Sequence, residues 1–225
     1  STNVAPQWGV RPSTHAIIET LYEGFVEKFN AHLTQYPYLL GGKPCVGDFG
    51  LMCPLYGHLG RDPVPHHLLQ MRGPWVHRWV ERMNRPEPDT GEYINLPHSF
   101  LQDDEVPETI IELLTHFALD FVPETIAAHS GINRWLKENK PAIGAQCERY
   151  AGEAEFDVEG TAIHVCPQPF RFYLLERVQS AIQALKGSDQ ADALALLDTC
   201  NMTAVLDLKL DRKIGRANNL EVWLD

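Results

Sequence analysis

The chain has 225 residues, of which 44% are hydrophobic and 22% charged, an ordinary composition for a globular protein that could form one large domain or two small ones. Its 30 acidic and 19 basic residues give a formal net charge of -11, which would repel nucleic-acid phosphates and anionic lipid, so we expect no nucleic acid and no membrane as partners. No apolar run approaches the ~18 residues of a membrane span, and none follows a basic start as in a signal peptide, which favours a cytoplasmic protein.

The first part of the chain is predicted to be helical. Residues 1–12 carry a glycine and two prolines and look irregular, whereas apolar residues recur at helical spacing from Ser13 until Pro37 ends the helix. A second helix, at about residues 46–59, is apolar on most of its sides. This pattern predicts burial in the middle of a bundle, with a kink at Pro54.

Further helices follow at residues 66–71 and from Pro74 onward. Residues 85–104 contain three prolines and a glycine, which is typical of a linker or crossing loop. A long helix then opens at Pro107, and we expect Pro123 to kink or end it because proline removes a helical hydrogen bond.

The last part of the chain mixes helices with strands. The pattern of residues 156–165 predicts a β-hairpin that turns at Glu159-Gly160. Another helix is predicted from Pro169. Leucine alternates with charged residues over 206–211, which predicts a strand there.

Cysteine and histidine residues form no strong metal-binding or catalytic motif. His66 and His67 are neighbours on a helix and therefore point about 100° apart. They lack a carboxylate or cysteine one turn away, which favours a solvated pair over a metal site. His164 and Cys166 share one face of a strand, where a half-buried structural pair is favoured over a reactive one. The five cysteines, an odd number without C-x-x-C spacing, are interpreted as free thiols: Cys45, Cys53, Cys147, Cys166 and Cys200. We assign no catalytic residue and no metal ligand.

The most informative stretch joins a loop to the second predicted helix and reads YLLGGKPCVGDF from Tyr38 to Phe49. Gly41-Gly42 allows a tight turn. Asp48 lies in the first turn of the helix. There its carboxylate can accept hydrogen bonds from free backbone N–H groups and interact with the positive end of the helix dipole.

This stretch resembles the segment that leads into the core helix of the C-terminal domain in glutathione S-transferases, where a Ser or Thr and an Asp form a capping box. Asp48 takes the Asp position of that motif, Gly47 the usual Ala, and Cys45 the Ser or Thr position. A thiol is a weaker acceptor than a hydroxyl, so we expect the Asp48 half of the box and not the reciprocal Cys45 half. The resemblance extends over about residues 13–85, and residues 48–63 resemble a bacterial subgroup that carries a long extension after this domain.

The resemblance implies a mainly α fold, with a glutathione S-transferase C-terminal-like helical bundle and an α+β extension that contains a β-hairpin. It also implies that the thioredoxin-like domain of this family is absent from the chain. The expected organisation is an irregular segment at 1–12, the helical domain at 13–86, a linker or crossing loop at 87–106, and a helical extension at 107–225 with a hairpin near 156–165.

In this family the thioredoxin-like domain holds glutathione and the catalytic group. The resemblance therefore implies no catalytic or cofactor-binding residue in this chain, with glutathione as the cofactor of a longer parent protein. That parent would be a glutathione-dependent transferase of an unknown electrophile, and this chain alone would be inactive with glutathione. Tyr56 and His58 are expected to form one wall of the substrate pocket. The expected partners are the thioredoxin-like domain of the parent chain and a second copy in a homodimer.

Two other functions stay open. A glutathione S-transferase-like helical domain can serve as a non-catalytic scaffold that docks other proteins. Alternatively, the hairpin and the last helices could build a pocket of their own and bind a small molecule.

Overall fold

The computed structural model describes residues 4–86 and 91–225, which are mainly helical and include two small antiparallel strand pairs. The chain divides into two compact units, one formed by Thr20–His116 and the other by Ser1–Glu19 together with Phe117–Asp225. The domain ranges expected from the sequence stay predictions. Residues 1–3 of the expected irregular segment 1–12 and residues 87–90 of the expected linker 87–106 lie outside the described residues.

The structure confirms the mainly α character and the β-hairpin. The helices in the described ranges are α1 (His15–Leu33), α2 (Val46–Pro54), α3 (Pro63–Arg72), α4 (Pro74–Met83), α5 (Glu108–Asn139), α6 (Phe170–Ala184) and α7 (Ser188–Thr199). The strands are β1 (Ala154–Val158), β2 (Thr161–Val165), β3 (Ile214–Ala217) and β4 (Leu220–Trp223). Within the part of the chain that the structure describes, no helix is both long and apolar enough to cross a membrane.

The core of the unit Thr20–His116 is built where α1 and α4 meet. The Phe29 and Trp79 rings pack edge to face, with their centroids 5.0 Å apart. The largest fully buried apolar side chains of this unit are Val26, Phe29, Leu33, Leu55, Leu69, Val76, Trp79 and Leu113.

Helix α2 differs from its expected burial. Its residues Val46 and Phe49 are 89% and 59% exposed, so the expectation of a helix buried on most sides is wrong. The apolar composition of a helix allows it to be buried on all sides. Whether it is buried depends on which other elements pack against it, and the composition does not determine that. The kink expected at Pro54 stays a prediction. After Pro54 the chain continues as a π-helical turn over Leu55–Leu59, in which the Gly60 N–H donates to the carbonyl of Leu55 at 2.6 Å.

Helix α5 runs through Pro123 without ending. We expected this proline to end or kink the helix. The first alternative is wrong, since the helix continues to Asn139. Leu113 before the proline and Ile132 after it are both buried. Burial of apolar side chains along both halves offsets the roughly 3 kcal/mol that an internal proline costs.

The second unit, Ser1–Glu19 with Phe117–Asp225, has its own core. It is formed by α5, α6 and the end of the chain, and its buried residues are Ala128, Ile132, Leu136, Ala151, Phe172, Leu175, Val205, Ile214 and Trp223. The predicted hairpin pairs β1 with β2, from Ala154 opposite Val165 to Val158 opposite Thr161. Its turn residues Glu159 and Gly160 have φ values of 51° and 82°, the left-handed conformation that a two-residue hairpin turn requires.

The strand predicted at 206–211 is wrong. Leu206, Leu208 and Leu210 are half-buried and alternate with exposed charged residues, so the alternation is real. However, the backbone of this segment bonds to side chains instead of a neighbouring strand. Gln179 Nε2 donates to the Val205 and Leu208 carbonyls at 2.9 and 3.0 Å. A strand needs a backbone partner as well as alternation, and the paired strands lie later, at β3 and β4.

Candidate functional site

Asp48 is fully buried at the N-terminus of α2 and accepts three hydrogen bonds. The backbone N–H groups of Leu39 and Cys45 donate to its two carboxylate oxygens at 3.1 and 2.9 Å. The indole Nε1–H of Trp79 donates to the first of these oxygens at 3.2 Å. The carboxylate therefore fixes the loop before α2, the first turn of α2 and the middle of α4 to one another.

Cys45 occupies the N-cap position of α2, and both arms of the capping box are present, so the expectation that the Cys45 half would be missing is wrong. The Asp48 arm is the 2.9 Å bond from the Cys45 N–H, and in the other arm the Asp48 N–H faces the Cys45 sulfur. Burial raises the pKa of the Cys45 thiol, which keeps the sulfur protonated and unreactive at neutral pH. Gly47 lies within the box, where an added Cβ would meet the Leu39 side chain at 2.9 Å. These residues thus form a structural joint without nucleophilic chemistry.

His32 lies fully buried in the same unit. Its Nε2 faces the Tyr38 carbonyl at 3.1 Å, and its Nδ1 faces the Thr109 hydroxyl at 2.8 Å. A carbonyl can only accept, so Nε2 carries the proton and the neutral ring accepts from Thr109 at Nδ1. Burial lowers the pKa of His32 and outweighs the opposing effects of the Tyr38 carbonyl and the Asp48 charge.

The lowered pKa of His32 makes stability depend on pH. In the unfolded chain, His32 takes up a proton near its ordinary pKa of 6.5. In the folded chain it takes up the proton only at a lower pH. This contribution to stability is therefore complete above about pH 6.5 and is lost as the pH falls through the folded pKa. We expect the urea midpoint to fall between about pH 7 and pH 5, and to fall less steeply in His32→Gln. His58→Gln, a change at an exposed histidine, should keep the wild-type slope. Equal slopes for His32→Gln and the wild type would contradict this account.

Tyr56 and His58, the residues expected to form a pocket wall, lie in the π-helical turn after α2. The Tyr56 ring is half-buried under the guanidinium of Arg61, which is 4.3 Å from the ring centroid, and His58 is exposed. Neither residue lines the large pocket described next.

A pocket of about 760 Å³ lies within the unit formed by Ser1–Glu19 and Phe117–Asp225. Its lining is mostly apolar and comes from the N-terminal segment, α5, Arg149, the end of β2, α6, α7 and the segment after α7. Its volume lies in the range of ~300–1,000 Å³ that small-molecule sites occupy. The principal apolar lining residues are Trp8, Phe121, Val165, Phe170, Leu174, Val178, Leu197 and Val205.

The N-terminal segment reaches this pocket because a short helical turn, Ala5–Trp8, packs beside β2. The Cys166 N–H donates to the Gln7 carbonyl at 2.8 Å, and the Trp8 indole N–H donates to the Tyr150 hydroxyl at 3.0 Å. Gly9 ends the turn with a φ of 80°, and an added Cβ there would lie 2.5 Å from the Ile163 side chain. The indole of Trp8 is thus held at the pocket although half of its surface is exposed.

Helix α6 supplies the apolar wall of the pocket. Phe170, Leu174 and Val178 recur one turn apart and stay 44%, 47% and 52% exposed. Apolar side chains that line a pocket and remain exposed favour an apolar occupant, because burying them releases water.

The charged groups of the pocket are two arginines and one glutamate. Arg171 pairs with Glu124 at 2.6 Å and donates to the Thr125 hydroxyl at 3.2 Å. Arg149 is exposed, with its guanidinium 5.5 Å from the Tyr150 ring. The lining therefore carries one more positive than negative charge, which favours an anionic group on a bound molecule.

The histidines paired in the sequence analysis contact other residues in the structure. His164 pairs with Glu155 at 3.0 Å, its directly opposite residue on β1, and Cys166 lies at the pocket. His66 contacts His77 instead of its neighbour His67. Among the described residues, no group of three or more His, Cys, Asp or Glu side chains could hold a metal ion.

No protein-family model, curated protein or solved structure matches this chain. The resemblance to glutathione S-transferases therefore stays a prediction from the sequence. Sequence reasoning left open a pocket built by the hairpin and the last helices but did not identify its lining, and it missed the Trp79 bond to Asp48. The glycine after Trp8 and the apolar stripe of α6 are the sequence features that belong to the pocket, although neither predicts a pocket by itself.

Proposed function

We propose that this chain binds an apolar small molecule with an acidic group, as the substrate-binding part of a glutathione S-transferase-like protein. The observation that carries the proposal is the pocket of about 760 Å³ with its mostly apolar lining. The excess of arginine over glutamate in the lining supports an anionic group on the ligand. The Asp48 capping box supports the family resemblance, because it joins the loop to the helix as that motif requires.

Binding is tested by titrating the chain with anilinonaphthalene sulfonate, an apolar dye that carries one negative charge. Leu174→Asp places a charged side chain among the apolar residues of α6, where it also repels the sulfonate, and should weaken binding about tenfold or more. Leu174 is already 47% exposed, so this change should leave the fold intact. Val64→Asp, at a valine that is 80% exposed on α3, is the matched control and should bind like the wild type.

The charge preference has its own test. N-phenylnaphthylamine, which resembles the dye but lacks the sulfonate, should bind more weakly than the sulfonate. Arg149→Gln should remove that difference and leave the binding of the uncharged dye unchanged. Equal binding of the sulfonate to Leu174→Asp, Val64→Asp and the wild type would reject the pocket as the site.

The family part of the proposal is tested on the protein from its native cell. We expect an intact mass greater than that of these 225 residues by about one domain of ~100 residues. We also expect that the protein conjugates glutathione to an electrophile while the 225-residue chain does not. A native protein of this mass without conjugating activity would leave pocket binding as the function and reject the transferase.

A protein-interaction scaffold is the second candidate function, and the exposed face of α2 favours it. Val46, Phe49 and Cys53 recur at helical spacing, and all three are exposed. An added Cβ at Gly50 would meet no atom within 4 Å. The only charged residue of α2 is Asp48, which is buried, so the face carries no charge that would repel a second copy. We propose a homodimer through this face.

Sedimentation equilibrium measures the oligomeric state directly. Phe49→Asp should shift the chain to a monomer, since it places like charges opposite one another across a two-fold interface. Val64→Asp, on α3, should leave the dimer unchanged. A wild-type chain that is monomeric at every concentration would reject the homodimer without affecting the pocket proposal.

A further inference from the structure

We propose that His66 and His77 form a binding site for a transition-metal dication of the zinc type, on the surface of the unit Thr20–His116. Their Nε2 atoms lie 3.1 Å apart. This pair is separate from the pocket, and the inference does not rest on the proposed function.

The distance between the two nitrogens suits a shared ion. Zinc binds histidine nitrogen at about 2.0–2.1 Å. With the two nitrogens 3.1 Å apart, the N–Zn–N angle at a shared ion would be about 100°. That angle is close to the roughly 109° of tetrahedral coordination. The two ring planes are inclined by only 21°, with centroids 5.1 Å apart, so the rings meet edge to edge and not face to face.

The backbone holds the two histidines at this distance. His66 lies on α3 and His77 on α4, and the helices are joined at Gly73. Gly73 accepts the N–H of His77 at 2.9 Å and donates its own N–H to the Leu69 carbonyl at 2.9 Å. An added Cβ on Gly73 would lie 2.6 Å from the Val26 side chain, so the corner is closely packed. The site is therefore pre-organised, which lowers the entropic cost of binding an ion.

The chemistry of the pair favours a borderline dication. Imidazole is a preferred ligand of zinc, copper and nickel, whereas magnesium and calcium prefer oxygen. Without an ion, one Nε2 must carry a proton and donate it to the other, so the ion replaces that proton. Both rings are half-buried, which leaves room for water as the remaining ligands. The described residues supply no third protein ligand, so we expect an exchangeable ion.

The test is isothermal titration of the full chain with zinc chloride, with the thiols alkylated to remove binding by cysteine. We expect one ion per chain at this site, and His66→Ala and His77→Ala should each weaken binding about tenfold or more. His67→Ala removes an exposed histidine from the neighbouring position of α3. It is the matched control and should bind like the wild type.

A second measurement needs no variant, so it tests the site even if a histidine variant fails to fold. In the wild-type chain, zinc should shift the ring proton resonances of His66 and His77 together and leave those of His67 in place. Zinc binding that survives in both single variants, or ring resonances of His66 and His77 that do not respond to zinc, would overturn the proposal.

Discussion

Replacing Asp48 with alanine is expected to lower the free energy of unfolding by about 3 kcal/mol or more. The change removes the acceptor of three hydrogen bonds, from Leu39, Cys45 and Trp79, in a place where Asp48 is fully buried. Hydrogen bonds to a charged group are worth about 1.5–3 kcal/mol each, and a buried donor left without a partner costs about 1–3 kcal/mol. Urea unfolding of the whole chain, followed by circular dichroism, measures the loss.

Two variants separate the hydrogen bonds from a general effect of losing an aspartate. Asp48→Asn keeps the size and one acceptor oxygen, so its loss should be intermediate. Asp62→Ala removes an exposed aspartate that precedes α3 without capping it through its side chain, and should change stability by less than about 0.5 kcal/mol. A loss in Asp48→Ala no larger than in Asp62→Ala would show that the carboxylate does not hold the joint in solution.

Asp48 shows how far local sequence reasoning reaches. Its position in the first turn of α2 and the Cys45 N–H that it accepts follow from a spacing of three residues, which any capping box shares. The bond from Trp79 joins residues 31 positions apart. No local pattern contains such a contact, because it depends on how α2 and α4 pack.

The two hairpins make the same point for strands. Glu159-Gly160 is a recognisable turn, and the hairpin around it was predictable. The second hairpin turns at Asn218-Asn219, whose φ values of 51° and 63° show the same left-handed conformation. The sequence carried that signal, but the leucine alternation at 206–211 gave the stronger strand pattern. Alternation reports which side chains are half-buried, and it does not report whether a backbone partner is present.

The lining of the pocket could not be predicted from local patterns, although a pocket of the hairpin and the last helices was one of the alternatives left open. It brings together Gln7 and Trp8, the end of β2, α6 and Val205, which are far apart along the chain. Each contributing stretch has an ordinary local explanation. The stripe on α6, for example, is a normal amphipathic pattern. Only the tertiary packing of the unit shows that Leu174 and Val178 of this stripe face a pocket and stay exposed.

Gly42→Ala is expected to cost about 3 kcal/mol of stability, for a reason that differs from the tight turn that the sequence suggested. A Cβ on Gly42 would lie 2.0 Å from the carbonyl oxygen of Pro97, a backbone atom that cannot rotate away. Gly42 also donates its N–H to the Ser99 carbonyl at 2.8 Å. Relieving the clash therefore requires this backbone pairing to break.

The matched control for Gly42→Ala is a glycine whose Cβ would meet nothing. Gly50, inside α2, has no atom within 4 Å of that position, so Gly50→Ala should raise stability by about 0.5–1 kcal/mol through the higher helix propensity of alanine. The two substitutions add the same methyl group to the same unit and should shift the urea midpoint in opposite directions. A Gly42→Ala midpoint at or above that of the wild type would mean that the loop at Gly42 does not lie against Pro97 in solution. In that case the short pairing that joins residues 40–42 to 97–101 would not contribute to the fold.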